Sequence, residues 1–134
     1  MLKEIMLTTD LKMLIATATL ALLSFMPYFI AYIKYWGIAG IVGNRENLPA
    51  LPRWAQRAQA AHANLTENLV HFSVLVIVAH VTAANNEITA MGASLFFWAR
   101  IAYLVIYIAG IPWLRTVAFM AGWVGEFMIL IQLF

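Results

Sequence analysis

The sequence predicts an all-α membrane protein, a bundle of four transmembrane helices. Three observations point there. Of 134 residues, 64% are hydrophobic and 10% charged, and the mean hydropathy is +0.85, a mix that cannot cover a small domain with charge. The apolar residues fall in runs long enough to cross a bilayer. Short stretches rich in Gly, Pro and Asn separate those runs. The chain reads as a single domain over residues 1–134, with spans at about 11–35, 53–84, 88–109 and 113–133. A net charge of +2, no long basic run and no cysteine exclude disorder, a nucleic-acid partner and a disulfide scaffold.

Leu11 to Ile33 gives about 23 residues at 1.5 Å each, enough for a roughly 30 Å hydrocarbon layer. Thr9 and Asp10 are candidate caps, and Pro27 is expected to kink this first span. The run exceeds the about 7–15 apolar residues of a signal peptide and ends in Ile33-Lys34-Tyr35-Trp36 without a small-residue cleavage motif. It is therefore read as a retained span. Gly37 to Pro52, with three Gly, two Pro and Asn44-Arg45-Glu46-Asn47, predicts a loop. From Arg53 to Ala84 no Gly or Pro interrupts a second helix, polar in its first half and apolar from Leu69 to Val81. Asn85-Asn86-Glu87 predicts a turn, Ile88 to Ala109 the third span, Gly110-Ile111-Pro112 a tight break, and Trp113 onward the fourth. Gly92, Gly122 and Gly125 permit close helix contacts.

Lys34, Arg45, Arg53, Arg57 and Arg115 flank the first and third connections, against Lys3 and Lys12 before span one. The positive-inside rule then puts both connections in the cytoplasm and the termini with the Asn85 turn opposite. Trp36, Trp54 and Trp113 sit at that boundary, where indoles settle at headgroup depth.

The informative residues are those lipid does not tolerate. On a helical wheel Arg53, Arg57, Asn68 and His71 fall within about 40° of Asn64, and Glu67 about 60° away. This stripe enters the hydrocarbon and must face protein, a cavity or a polar ligand. Gln59, His62, Thr66, Ser73 and His80 lie opposite, which predicts a neighbouring subunit over one of the two faces. In span three, Arg100, Tyr103 and Tyr107 share a face. Arg100 needs an anion, for which Glu67, a ligand carboxylate and Glu126 are candidates, while Glu126 has His71 as an alternative partner. Arg115, at the boundary, is placed either to serve the site or to snorkel to lipid phosphate. Glu67 and His71 are legitimate metal ligands, but two residues do not close a site, and no metal is expected. Arginines, amides, tyrosines and one Glu suit a small zwitterion rich in carboxylates, beside apolar walls for a lipophilic second substrate. Hydrolase, nucleotide-binding and thiol-oxidoreductase motifs are absent from the sequence.

The stretch Arg57-Ala58-Gln59-Ala60-Ala61-His62-Ala63-Asn64-Leu65-Thr66-Glu67-Asn68 resembles the second-helix motif of the MAPEG family, the membrane-associated proteins of eicosanoid and glutathione metabolism. The likeness is to microsomal glutathione transferase 1-like bacterial-type members, where Ala-His-x-Asn-x-x-Glu-Asn recurs. Ala99-Arg100-Ile101-Ala102-Tyr103 through Tyr107 to Arg115 is similar to that family's later helices. The resemblance implies a homotrimer in a bacterial inner membrane, with glutathione as co-substrate bound between subunits near the cytoplasmic face. It places glutathione on Arg57, His62, Asn64, Glu67, Arg100, Tyr103 and Tyr107, and gives Arg115 the task of favouring the thiolate. The implied activity is glutathione transfer to lipophilic electrophiles, or peroxidase action on lipophilic hydroperoxides. Two departures stand out: Lys34 takes the place of a first-helix arginine, and Asn68 that of the tyrosine found in leukotriene-synthase-like members. The first motivates an alternative, a non-catalytic member that holds lipid or docks a membrane protein. A transporter or channel subunit ranks last, since neither repeats nor discontinuous helices are evident.

Overall fold

The computed structural model describes residues 7–134 as five helical segments that make four spans. Lys3, part of the charge comparison above, lies outside the described residues. α1 (Thr9–Leu23) starts behind Thr8, whose hydroxyl accepts from the Leu11 amide at 3.4 Å. The cap is thus one residue earlier than expected. Asp10 is instead buried and accepts a 2.7 Å bond from the Thr89 hydroxyl.

The first span is broken rather than bent. α1 closes with the Ser24 amide on the Leu20 carbonyl, and α2 (Met26–Val42) begins at once with Pro27 in its first turn. A proline there lacks only an N–H that would have no partner anyway. The helix then runs past the expected boundary: Gly37, at φ +67° and ψ 177°, interrupts it, and the segment to Val42 is helical again. Ile38 to Val42, read from sequence as loop, is therefore helix. A glycine free to adopt positive φ redirects the chain without ending the apolar run, and only Gly43 to Pro52 is irregular. Trp36 stacks on Tyr32 at 4.3 Å and donates to the Pro49 carbonyl at 2.8 Å, which fastens the connection to α2.

α3 (Arg53–Val81) is the long polar-to-apolar helix. A turn containing Ala83 at φ +57° leads to a capping box in which Asn86 accepts from the amides of Ile88 and Thr89 while Thr89 accepts from the Asn86 amide. α4 (Glu87–Ala109) ends on Gly110, left-handed at φ +83°, with the Ile111 amide returning to the Ile106 carbonyl. This is the Schellman closure that glycine permits. α5 (Pro112–Leu130) starts on proline at its first position.

α4 and α5 pack over their whole length, α1 lies against α3 and α4, and α2 lies against α3. A methyl added to Gly92 or Gly125 would stand 2.5 Å from the other residue's carbonyl oxygen, so the two backbones touch. The half of the bundle remote from the Gly43–Pro52 connection holds the main core, where Phe72 of α3 stacks on Phe96 of α4 at 4.0 Å among Val76, Ala79, Ala93 and Ile129. Outward, Leu22, Ile30, Val70, Trp98, Val105 and Val117 are exposed, the inverted pattern of a protein whose solvent is lipid. Four helices long and apolar enough to cross a membrane make this an integral, multi-pass membrane protein.

Candidate functional site

Beside the Gly43–Pro52 end, α3, α4 and α5 line two adjoining cavities that open to the surface. One, about 150 Å³, is lined by Arg57, Tyr107, Gly110, Ile111, Pro112 and Arg115. The other, about 290 Å³, is lined by Asn64, Tyr103, Tyr107, Arg115, Thr116 and Phe119. Tyr107 and Arg115 belong to both. Five residues singled out from sequence thus come together: Arg57, Asn64, Tyr103, Tyr107 and Arg115. Thr116, Phe119 and Gly110 were not singled out. Phe119 lies four residues beyond Arg115, a spacing that brings side chains together on a helix, and that is the available signal; Thr116, one residue on, carries none.

Each side chain has a local reason for its place. The Ile108 carbonyl lies in the last turn of α4, and the residue four positions on, Pro112, has no N–H to give it. The Arg57 Nε fills that vacancy at 3.0 Å, a cation at a helix C-terminus. Gly110 lets Arg57 approach, since a Cβ there would sit 3.2 Å from the guanidinium carbon. The Arg115 guanidinium lies 4.4 Å from the centre of the Tyr107 ring, a cation-π contact that holds it beside both cavities.

Arg100 is placed differently. It is 1% exposed, lines neither cavity, and lies with its guanidinium 4.3 Å from the centre of the Tyr103 ring. Its Nη2 donates to the Asn64 side-chain oxygen at 2.7 Å, and its Nε has no partner among the described residues. The protein group it meets is a neutral amide, and neither Glu67 nor Glu126 pairs with it. Glu126 takes the alternative course: it hydrogen-bonds His71 Nδ1 at 2.5 Å, the one contact of a carboxylate with a basic side chain within 4.0 Å among the described residues. Arg57, Arg100 and Arg115 consequently have no carboxylate partner among those residues.

His62 stands apart from the cavities. It faces α2, where its Nδ1 meets the Tyr28 hydroxyl at 2.5 Å. The neighbouring Gln59 donates to the Tyr32 hydroxyl. Thr66 and Ser73 return their hydroxyls to carbonyls one turn back, at His62 and Leu69. The chain's own α2 thus engages part of the face for which a second subunit was one expected cover. Glu67 is exposed, lines neither cavity and makes no hydrogen bond or ion pair among the described residues; Arg53 is exposed as well. Below Glu67 an apolar groove of about 450 Å³ runs between α3 and α5 past Val70, Val74, Trp123 and Phe127, with His71 and Glu126 as its polar members. Among the described residues no cluster of three or more His, Cys, Asp or Glu would hold a metal ion.

Two arginines lining an open pocket, with amide and phenol groups beside them and apolar walls below, are donor groups whose chemistry suits a small anionic molecule. The profile of the MAPEG family matches residues 13–134. Comparison with curated proteins and with solved structures gives no match.

Proposed function

This chain belongs to the MAPEG family, and we propose that it is a membrane glutathione transferase or glutathione-dependent peroxidase acting on lipophilic compounds. The observation that carries this reading is the pair Arg57 and Arg115 lining one open pocket, with no carboxylate of the described chain to neutralise either. A cation at membrane depth that lacks a protein anion is an invitation to an anionic ligand. Glutathione offers two carboxylates for the guanidinium forks, an ammonium for Glu67, and a thiol.

The residues divide the work. Arg57, Asn64, Tyr103 and Tyr107 hold and orient the peptide. Arg115 favours the thiolate over a thiol whose ordinary pKa of about 8.5 leaves it mostly protonated at neutral pH. The thiolate then attacks an electrophilic carbon, forming a thioether as the leaving group departs with its electron pair. With a hydroperoxide it attacks the outer oxygen, and the O–O bond breaks to give an alcohol and an oxidised sulfur that a second glutathione converts to disulfide and water.

The site is completed by assembly. Glu67 and His71 are exposed on a face of α3 that also carries exposed Val70 and Val74, and lipid does not satisfy a carboxylate there. A homotrimer that brings this face against a neighbour answers the requirement, with glutathione between subunits and the basic connections in the cytoplasm of a bacterium. A second reading, a non-catalytic member holding lipid, is favoured by Lys34, a point charge where a fork would grip a carboxylate, and by the apolar groove beneath the cavities.

Calorimetry with glutathione on the detergent-purified protein tests the first reading, with native mass spectrometry for subunit number. Saturable binding with an ultraviolet thiolate signal, in a species of three subunits, is expected. No binding at millimolar glutathione, with lipid retained instead, overturns it in favour of the second.

A further inference from the structure

We propose that Arg100 is a positioning residue that sets the polarity of Asn64, so that Asn64 can only donate to whatever occupies the larger cavity. This rests on the glutathione reading and deepens it: the ligand group facing Asn64 is a hydrogen-bond acceptor, a carboxylate rather than the ammonium.

The argument begins with chemistry that leaves no choice of orientation. A guanidinium carries five N–H donors and no acceptor. The Asn64 side-chain atom 2.7 Å from Arg100 Nη2 is therefore the carbonyl oxygen, because the amide nitrogen would meet a donor with a donor. The Asn68 amide approaches the same oxygen at 3.4 Å while donating to the Asn64 backbone carbonyl at 2.8 Å. The oxygen is thus held on the α4 side. The amide nitrogen of Asn64 donates to nothing among the described residues, and Asn64 lines the cavity that Arg115 also borders.

Arg100 is itself held. Its guanidinium lies 4.3 Å from the centre of the Tyr103 ring and 5.8 Å from that of Phe119, which supplies the buried cation with π faces. With 1% exposure it cannot reach a ligand, and further assembly only covers it more. Its influence on binding passes through Asn64. An amide left unpinned is free to rotate and present either end, and a ligand carboxylate then has to select the productive one.

The test is a double-substitution cycle on glutathione affinity, read by calorimetry on the full-length protein in detergent. Arg100→Met is expected to weaken binding about tenfold, the scale of one charge-assisted hydrogen bond. In an Asn64→Ala background the same change should cost nothing further. Arg100→Lys, which keeps a donor toward the Asn64 oxygen, should recover most of the loss. Asn64→Asp, which turns an acceptor toward the cavity, should bind glutathione more weakly than Asn64→Ala. Losses that simply multiply, or an Asn64→Asp variant that binds like wild type, overturn the inference while leaving the glutathione reading intact. Wild-type protein that binds no glutathione overturns the reading itself. Were Arg100→Met to lose its native elution profile, the lysine variant and the comparison of Asp with Ala at position 64 would still decide the matter.

Discussion

His71 of α3 and Glu126 of α5 share a hydrogen bond, 2.5 Å from Nδ1 to Oε1, at the side of a groove whose other walls are aliphatic and aromatic. Glu126 is buried and His71 half exposed. A pair of this kind costs much to break from one side and little to replace whole. His71→Leu, which strands the carboxyl, is expected to lower protomer stability by about 1–3 kcal/mol. His71→Leu combined with Glu126→Leu should recover most of it. Thermal unfolding in detergent reads the difference; a double variant no better than the single would show that the pair has further partners.

The touching backbones of α4 and α5 make a sharper forecast. In Gly125→Ala the new methyl meets the Gly92 oxygen at 2.5 Å and the Phe96 nitrogen at 2.9 Å. Neither atom is a flexible side-chain end, so the helices must part, at about 1–3 kcal/mol. Gly122→Ala, whose nearest neighbour is a Phe96 ring carbon at 3.6 Å, should change stability by no more than about 0.5 kcal/mol. Equal melting temperatures for the two variants would disprove the close approach.

At Gly110 backbone and site can be separated. Alanine at φ +83° is strained by about 1–2 kcal/mol, and any Cβ there crowds the Arg57 guanidinium. Gly110→Asn should restore much of the stability lost in Gly110→Ala, because asparagine tolerates the left-handed region. It should not restore glutathione affinity, since its Cβ still displaces Arg57 from the Ile108 carbonyl. Melting curves and calorimetry on the two variants, taken together, make the check.

Arg115 is expected to act on the thiol more than on the peptide's grip. Arg115→Gln should lower turnover by about 100- to 1,000-fold, the scale for losing one pre-placed electrostatic donor, and abolish the ultraviolet thiolate signal. Glutathione affinity should fall far less, because Arg57, Asn64 and the two tyrosines remain. A persistent thiolate signal would remove Arg115 from that role.

Much of this architecture was legible before any coordinates. Pro, Gly and Asn punctuate the apolar runs, and the Asn86 and Gly110 boundaries fall where those residues suggested. The stripe through Arg57 and Asn64 follows from a 100° wheel, which gives direction about a helix axis. A wheel does not give distance from that axis or the partner across it. For that reason it offers Glu67 and Glu126 to Arg100 and passes over the amide of Asn64, and it sets His62 opposite Asn64 without naming Tyr28, 34 residues earlier. That contact depends on how the chain restarts at Pro27. The continuation of α2 past Gly37 was hidden for a related reason: glycine marks a change of direction, and composition alone does not tell a corner inside a helix from its end.

The restart after Ser24 divides the protein into two storeys. On the lower one, α1 is walled in by both α3 and α4. On the upper one, α2 leans on α3, so α4 and α5 stand there like a corridor lacking one partition. The two floors of a single span are thus walled differently: the ground floor has α1 between α3 and α4, and the upper one leaves α4 and α5 open on the side that α1 closes below.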